Sequence, residues 1–261
     1  AKEYLKVYGV LVGKKPLIFT NNDSAYETAI EFKKNNINPI ILDTRKNPDS
    51  EIISQAKNMG IEIKFSYVVV AAKGYKKVNS AEIASISEDK KDLGKIENIA
   101  CDCICVSGFW TPTIHLASQS GNKTKFNEEI DAFVPGKSKQ NETTVGSANG
   151  IFSLEKTLTT AFEKGHEISK KITNKDNKIS VPQVLEKKFT QHDKFWCVPL
   201  PKEKNYKRFL DFQNDVTVSD VELALREGYR SIEHVKRYTT LGMATDQGKT
   251  SNLNGLQLVS S

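Results

Sequence analysis

Short apolar runs alternate with helix-like segments through the first quarter of the chain, and this alternation constrains the fold more than any other feature. The apolar runs lie at residues 16–20, 39–43 and 61–65, and segments with helical spacing separate them at 25–34 and 50–59. Short continuous apolar runs are typical of strands buried on both faces of a parallel sheet, and crossover helices join such strands. The segment therefore predicts an α/β fold with a parallel sheet.

An acidic residue ends the second of these strands, where a dinucleotide-binding fold places the carboxylate that binds a ribose hydroxyl. Asp43 stands 23 residues after Thr20, close to the spacing of that plan. The glycine-rich loop of such folds is missing, because residues 20–26 read Thr-Asn-Asn-Asp-Ser-Ala-Tyr. Asn and Asp side chains would crowd a pyrophosphate, and Asp23 would repel it at the start of the helix. We therefore expect the architecture of a nucleotide-binding lobe without a bound dinucleotide here.

Charge and composition exclude several classes of protein. The formal net charge is +6, but the lysines are spread over the whole chain, whereas nucleic-acid-binding proteins concentrate them on one face. We expect no nucleic-acid partner. No apolar run approaches the roughly 20 residues that a membrane span requires, and the charged N-terminus lacks the apolar region of a signal peptide. We therefore expect a cytoplasmic protein without a membrane partner, whose cysteines are reduced.

Three of the 4 cysteines alternate within one apolar run at residues 99–106. On a single strand, Cys101, Cys103 and Cys105 would share one face, which permits metal ligation. No histidine or fourth cysteine stands nearby at the spacing of a zinc site, and cysteine is common in buried strands as a small apolar residue. We therefore predict one strand with buried thiols and no metal.

A strand-to-loop transition follows that run, at the edge where open α/β sheets bind ligands. Gly108 and Pro112 punctuate it, and His115 follows. His115 has no obvious carboxylate or nucleophile partner in the sequence, so a structural role is favoured over a catalytic one. Residues 145–150 form a glycine-containing turn that leads into an amphipathic helix.

The C-terminal part of the chain has a different character. Residues 174–188 are rich in Lys and Asn and are typical of a linker. After residue 209 the sequence predicts a short helix that begins at Thr217 or Ser219 and ends at Gly228, and a second that begins at Ser231.

The run at residues 236–252 contains two lysines, an arginine, two glycines and several hydroxyl side chains. Backbone N–H groups, hydroxyl donors and cations are what a phosphate-binding loop requires. Two other interpretations stay open: a polar surface loop, or polar residues that cap helices.

Several motifs resemble the alpha subunits of heterotetrameric sarcosine oxidases. The long ones lie at residues 210–217, 226–240 and 242–252. Shorter ones are Thr-Asn-Asn-Asp-Ser-Ala-Tyr (20–26), Val-Ser-Gly-Phe-Trp-Thr-Pro (106–112) with His115 and Leu116, and Phe-Val-Pro-Gly (133–136). They cover nearly the whole chain in the same order.

The resemblance implies a Rossmann-like, disulfide-reductase-like nucleotide-binding region followed by a small helical module similar to a ferredoxin-like domain without its cluster. It places a degenerate second dinucleotide-binding lobe at 1–97, the return strands and helix of the first lobe at 98–173, a linker at 174–204 and the helical module at 205–261. The glycine-rich motif of the first lobe and the folate-binding domain would lie outside this chain.

The resemblance also implies cofactors. NAD would be held without reacting, beneath a loop that includes Thr111, Leu116 and Ser118. FMN would lie at the interface with a beta subunit that carries FAD, in a heterotetramer with further small subunits. The residues expected to contact FMN are Arg237, Thr239, Thr240, Gln247, Lys249, Thr250 and Ser251, with Arg237, Lys249, Thr250 and Ser251 near its phosphate.

In related amine dehydrogenases, four cysteines of the helical module bind an iron–sulfur cluster. The corresponding residues here are Asp211, Gln213, Asp246 and Ser251. Because none is a thiol, the resemblance implies no such cluster, and electrons would pass directly between flavins.

The implied activity is the oxidation of sarcosine to glycine with oxygen as electron acceptor, peroxide as product and tetrahydrofolate as acceptor of the one-carbon unit. This chain would act as cofactor cradle and subunit interface and would supply no catalytic residue. Two alternatives stay open: a subunit of a related amine, proline or opine dehydrogenase, and a scaffold whose nucleotide sites have decayed.

Overall fold

The computed structural model of the chain describes residues 1–108, 110–176, 180–184, 192–201, 204 and 206–260. They divide into two compact units: residues 1–108 together with 190–261, and residues 109–189. The domain boundaries implied by the resemblance, after residues 97, 173 and 204, stay predictions.

The first unit begins with a helix and a series of strands joined by helices. Its elements are α1 (Lys2–Tyr8), β1 (Pro16–Thr20), α2 (Ser24–Lys34), β2 (Ile40–Asp43), α3 (Glu51–Asn58), β3 (Glu62–Phe65), β4 (Tyr67–Gly74), β5 (Val78–Ser85), β6 (Glu97–Ala100) and β7 (Cys103–Ser107). Strands β3, β2, β1 and β7 form a parallel sheet in that order. Strands β4, β5 and β6 form an antiparallel sheet. The predicted α/β, Rossmann-like fold class is confirmed.

The parallel sheet is buried on both faces, as its continuous apolar strands predict. Ile18 and Ile41 pack in one cluster with residues of α2 and α3, such as Phe32. Leu17 and Leu42 point to the opposite face and pack in a second cluster that includes Ile83 of β5. Successive residues of one strand therefore serve two cores.

The predicted single strand at 99–106 is wrong, because the chain changes sheets in the middle of it. Residues Glu97–Ala100 pair antiparallel with β5, whereas Cys103–Ser107 pair parallel with β1. The Asp102 carboxylate at the crossing accepts hydrogen bonds from the backbone N–H groups of Lys14 at 2.8 Å and Lys15 at 2.7 Å. These two bonds fix the crossing beside the start of β1.

The second unit contains α4 (His115–Gln119), the hairpin of β8 (Thr124–Asn127) and β9 (Ala132–Pro135), a 3₁₀ turn (Gly146–Asn149) and α5 (Leu154–Thr173). Gly150 ends the turn with φ +78°, and a Cβ atom there would lie 2.7 Å from Ile130 Cδ1. The predicted amphipathic helix is confirmed as α5. None of its residues is buried within the described part of the chain.

The C-terminal module contains β10 (Phe209–Asp211), β11 (Val216–Thr217), α6 (Val218–Arg226), α7 (Ile232–Thr239) and α8 (Asn252–Ser260). Its core consists of small apolar side chains: Leu210, Val216, Val218, Val221, Ala224, Val235 and Leu241. Thr217 and Asp220 form a capping box, so Thr217 rather than Ser219 is the N-cap of α6. The predicted linker has no helix or strand at its described residues 174–176, 180–184, 192–201 and 204. The rest of the linker lies outside the described residues.

Candidate functional site

The carboxyl ends of β1, β2 and β7 meet at one edge of the parallel sheet, the position at which open α/β sheets bind ligands. The amide of Asn22, just after β1, donates to the carbonyl oxygens of Ser107, at 3.3 Å, and Gly108. Its Oδ1 accepts from the Ser24 N–H at 3.0 Å. The space that glycines leave for a pyrophosphate in dinucleotide-binding loops is thus filled by an asparagine side chain.

An arginine lies between the two carboxylates at this edge. Arg45 Nη1 is 2.8 Å from Asp23 Oδ1, and Nη2 is 2.7 Å from Asp43 Oδ2. Arg45 Nε donates to Asp43 Oδ1 at 3.0 Å, and the Tyr26 hydroxyl donates to Asp43 Oδ2 at 2.7 Å. Both carboxylates are buried, at 1% exposure or less. Asp43, which the spacing places against a ribose, is saturated by the chain itself.

Electrostatics keep Arg45 charged and Tyr26 neutral. Burial opposes the charge of Arg45, but hydrogen bonds and ion pairs with Asp43 and Asp23 outweigh it, so the pKa of the guanidinium is raised. Burial, followed by the charge of Asp43, raises the pKa of Tyr26, which therefore stays a neutral donor. Two carboxylates and one guanidinium leave a net negative charge that disfavours a pyrophosphate. The expectation of no dinucleotide here stays a prediction, and this geometry is its physical reason.

The three alternating cysteines do not share a face. Cys101 packs in the cluster of Leu17, whereas Cys105 packs on the opposite face with Ile18. The Sγ atoms of Cys103 and Cys105 are 3.7 Å apart, and burial raises the pKa of Cys105 to about 12. The predicted common face is wrong because the chain changes sheets at Asp102.

The residues expected at NAD lie at α4 in the second unit. Thr111 precedes the helix, and Leu116 and Ser118 belong to it; all three are exposed, Leu116 at 86%. His115 is the first residue of α4 and is also exposed. Phe109 of the preceding motif lies outside the described residues. Whether these residues contact NAD stays a prediction.

The four residues that the resemblance sets against cluster-binding cysteines are polar, and two are acidic. Asp211 is 3% exposed, and its carboxylate accepts three backbone N–H groups: Gln213 at 2.9 Å, Asn214 at 3.3 Å and Gly242 at 2.9 Å. Converging backbone N–H groups are suited to an anion. In this module the anion is a side chain of the chain itself.

Asp246 has the same role in the loop before α8. Its carboxylate accepts from Gly248 N–H at 3.0 Å and from the Thr250 hydroxyl at 3.0 Å. The hydrogen bond from Gly248 is the largest cause of the lowered pKa of Asp246. An anion-binding arrangement of the kind predicted for this loop is therefore present, but a carboxylate occupies it.

The residues expected at FMN fall into two groups. Those with exposed side chains are Arg237, Thr240, Gln247, Lys249 and Thr250. The Thr239 hydroxyl donates to the Val235 carbonyl at 2.7 Å, and Ser251 is 1% exposed. The buried Ser251 is not accessible to a phosphate in this conformation, and the contacts of the whole set stay predictions.

Sequence reasoning missed Arg45 and the internal role of Asp246. The local signals were an Asp-x-Arg triplet at the end of a strand and an Asp-x-Gly triplet, whose carboxylate can accept from the backbone two residues on.

Within the described ranges, no group of three or more His, Cys, Asp or Glu side chains could hold a metal ion. Nor does that part of the chain contain a helix long and apolar enough to cross a membrane.

The parallel sheet with its crossover helices, a polar carboxyl edge and a small helical module define an α/β chain of the Rossmann-like class. Residues 205–261 match the family model described as "Sarcosine oxidase A3 domain". The chain is 34% identical over 260 residues to the sarcosine oxidase subunit alpha of Rhizobium meliloti (strain 1021). The aligned residues are 99% of this chain and 25% of that protein. The chain is 30% identical over 264 residues to that of Corynebacterium sp. (strain P-1), which covers 99% and 27%.

The chain is therefore similar to sarcosine oxidase alpha subunits over nearly its whole length, and the resemblance stated from its motifs is confirmed. It spans about a quarter of the length of the curated relatives that it matches. Among solved structures it is similar to thioredoxin reductase from Lactococcus lactis, at 20% identity and a TM-score of 0.40, over 52% of this chain and 44% of that one.

Proposed function

We propose that this chain is a segment of the alpha subunit of a multisubunit sarcosine oxidase, in which it cradles NAD and FMN and contributes a subunit interface. One observation carries the proposal: the similarity to alpha subunits extends over 99% of the chain. The reaction would oxidise sarcosine to glycine with oxygen, release peroxide and pass the one-carbon unit to tetrahydrofolate. The partner would be a beta subunit with FAD, together with further small subunits in the cytoplasm.

The charges at residues 236–251 fit the phosphate of FMN. The last turn of α7 carries Lys236 and Arg237, and the loop before α8 carries Lys249 together with the single carboxylate of this stretch, Asp246. Because that carboxylate already accepts the Gly248 N–H, the phosphate would be bound by the exposed side chains of Arg237 and Lys249 rather than by the backbone. Bound FMN would supply a carrier of electrons between the FAD of the partner and oxygen.

The exposed surface of α4 fits a role at NAD. Leu116 offers an apolar contact, and Thr111 and Ser118 offer hydroxyl donors. We assign no residue of this chain to proton transfer, because the substrate would be oxidised in the partner subunit.

The test of the FMN site is a double charge reversal, Arg237→Glu with Lys249→Glu, in the full alpha subunit coexpressed with its beta subunit. We expect the bound FMN to fall by at least about tenfold, since two phosphate contacts are replaced by repulsion. FMN is measured after acid extraction, and covalently bound FMN is measured from the protein-bound flavin fraction. FAD content serves as an internal reference.

The matched control reverses Lys76 and Lys77, which are exposed between β4 and β5 and change the net charge equally. This control should retain its FMN. Wild-type FMN content in the double reversal at 237 and 249 would refute the site.

Two other functions stay open. A subunit of a related amine, proline or opine dehydrogenase is disfavoured, because the side chains of Asp211, Gln213, Asp246 and Ser251 do not supply the thiolates of an iron–sulfur cluster. A scaffold with decayed sites is favoured by the Arg45 cluster. Cofactor analysis of the coexpressed complex separates the three: an iron–sulfur chromophore indicates the dehydrogenase, and FAD of the partner without FMN or NAD indicates the scaffold.

A further inference from the structure

The segment expected to be a linker contacts the rest of its unit at three places through polar groups. We define the strap as residues 192–201 together with Lys204 and Tyr206. It connects the lobe of β1–β3 and its antiparallel sheet to the C-terminal module, within one compact unit.

The first contact lies at the carboxyl edge of the parallel sheet. Asp193 N–H donates to the Asn21 carbonyl at 3.0 Å, and the Asn21 amide donates back to the Asp193 carbonyl at 2.7 Å. The Asp193 carboxylate accepts from the Thr44 hydroxyl at 3.4 Å and forms an ion pair with Lys90. Asn21 and Thr44 follow β1 and β2 directly, so Asp193 joins the ends of both strands.

The second contact joins the strap to the C-terminal module. Arg208 donates to Cys197 Sγ at 3.1 Å and to the Val198 carbonyl at 3.3 Å, and it also pairs with Glu222 of α6 at 3.3 Å. Cys197 packs against the apolar core of the module. The middle of the strap therefore belongs to the module as much as to the lobe.

The third contact is a buried carboxylate on β5. Glu82 is 6% exposed and accepts from Lys204 Nζ at 3.1 Å and from the Tyr206 hydroxyl, and Lys73 Nζ lies 3.2 Å away. Both ammonium groups also lie over the Tyr206 ring, 4.9 and 5.6 Å from its centre. The hydrogen bond from Tyr206, followed by those from the lysines, lowers the pKa of Glu82.

We propose that the strap fixes the C-terminal module on the lobe, and that Asp193 and Glu82 are the positioning residues at its two ends. Each end combines a charge with hydrogen bonds between the strap and the lobe, and Arg208 links the middle of the strap to Glu222 of α6. Contacts at both ends of the strap then hold the module on the lobe, and the strap does not act as a flexible linker. This inference does not depend on the flavin proposal, because no cofactor enters it.

Hydrogen exchange of the intact chain, followed by mass spectrometry of peptides from residues 192–201, tests the strap. Exchange in the native state reports the population of the locally open form. Loss of a charge-assisted hydrogen bond at buried Glu82 or at half-buried Asp193 should raise that population by at least about tenfold in Glu82→Gln and in Asp193→Asn. Amides of β1 and β2 should keep their wild-type protection.

Glu88→Gln is the matched control, because Glu88 is an exposed carboxylate of the same lobe that pairs with Lys46. It should leave strap exchange unchanged. The exchanged pair Asp193→Lys with Lys90→Asp should restore most of the protection lost in Asp193→Lys alone. Unchanged strap exchange in Glu82→Gln and Asp193→Asn would overturn the proposal. So would equal acceleration of β1 and β2, which indicates global loosening.

Discussion

Arg45 determines what the carboxyl edge of the parallel sheet can bind. Its guanidinium takes up the hydrogen-bonding capacity of Asp23 and Asp43, the two acids that flank the edge. The spacing of Asp43 correctly predicts a carboxylate at the end of a strand. It cannot predict which group binds that carboxylate, because the backbone after β2 brings the side chain of Arg45 back to Asp43.

Replacing Arg45 by Met should destabilise the chain by about 3–5 kcal/mol, because two buried carboxylates lose their cation. The free energy of unfolding is measured by urea denaturation. Lys46→Met is the matched control, since the Lys46–Glu88 pair is largely exposed and worth about 0–1 kcal/mol. Equal losses in the two variants would contradict the assignment.

Asp211 organises the C-terminal module through its charge. Asp211→Asn should cost about 1.5–3 kcal/mol, because backbone N–H groups at three positions lose a charged acceptor and one meets an amide donor. Asp215→Asn is the control: Asp215 is exposed with φ 54°, a conformation that Asn adopts readily, so its effect should stay within about 0.5 kcal/mol. Thermal denaturation, followed by a probe in the C-terminal module, compares the two variants. An Asp211→Asn variant as stable as the wild type would refute the charged role.

At the scale of elements, sequence patterns predict the strands and helices whose local signals agree with their surroundings in the fold. Strands β1 to β3 and helices α2 and α3 follow from apolar runs and period, and α6 from its N-cap. The exchange of sheets between β6 and β7 could not be read from residues 99–106, because a short apolar run, even with Asp102 in its middle, carries no sign of which sheet pairs with each half. The deciding contacts come from Lys14 and Lys15, remote in sequence from Asp102.

Thr217→Ala should lower the stability of the module by about 0.5–2 kcal/mol, because it removes the side-chain acceptor of a complete capping box. Ser231→Ala is a close control at the N-cap of α7, where the side chain makes no capping hydrogen bond. It should have little effect. Denaturation midpoints of the two variants give the comparison, and an indistinguishable pair would contradict the capping argument.

At the scale of the whole molecule, the division into units was not predictable from composition. Residues 190–261 cluster with 1–108, although a Lys- and Asn-rich stretch separates them in sequence. That stretch is typical of a linker by composition, but the strap that follows it is held by particular side chains such as Glu82. Long-range pairs of this kind leave no periodic signal in a single sequence.

We expect the purified chain to show no oxidation of sarcosine, even with added FAD, FMN and NAD. The reason is that the proposed hydride acceptor and substrate pocket lie in another subunit. Peroxide production and oxygen consumption measure the activity, and the full alpha subunit coexpressed with its beta subunit provides the positive control. Turnover by the chain without a partner would refute its proposed role as a cradle.

The ion-paired end of the parallel sheet also limits how this edge could be rebuilt. Replacing Arg45 would leave two carboxylates buried without their cation, and a glycine at residue 22 would remove the hydrogen bonds that join the end of β1 to the end of β7. Each of these steps toward an open nucleotide pocket weakens the protein before any ligand can compensate. An engineered pocket at this edge therefore requires the replacement of several residues at once.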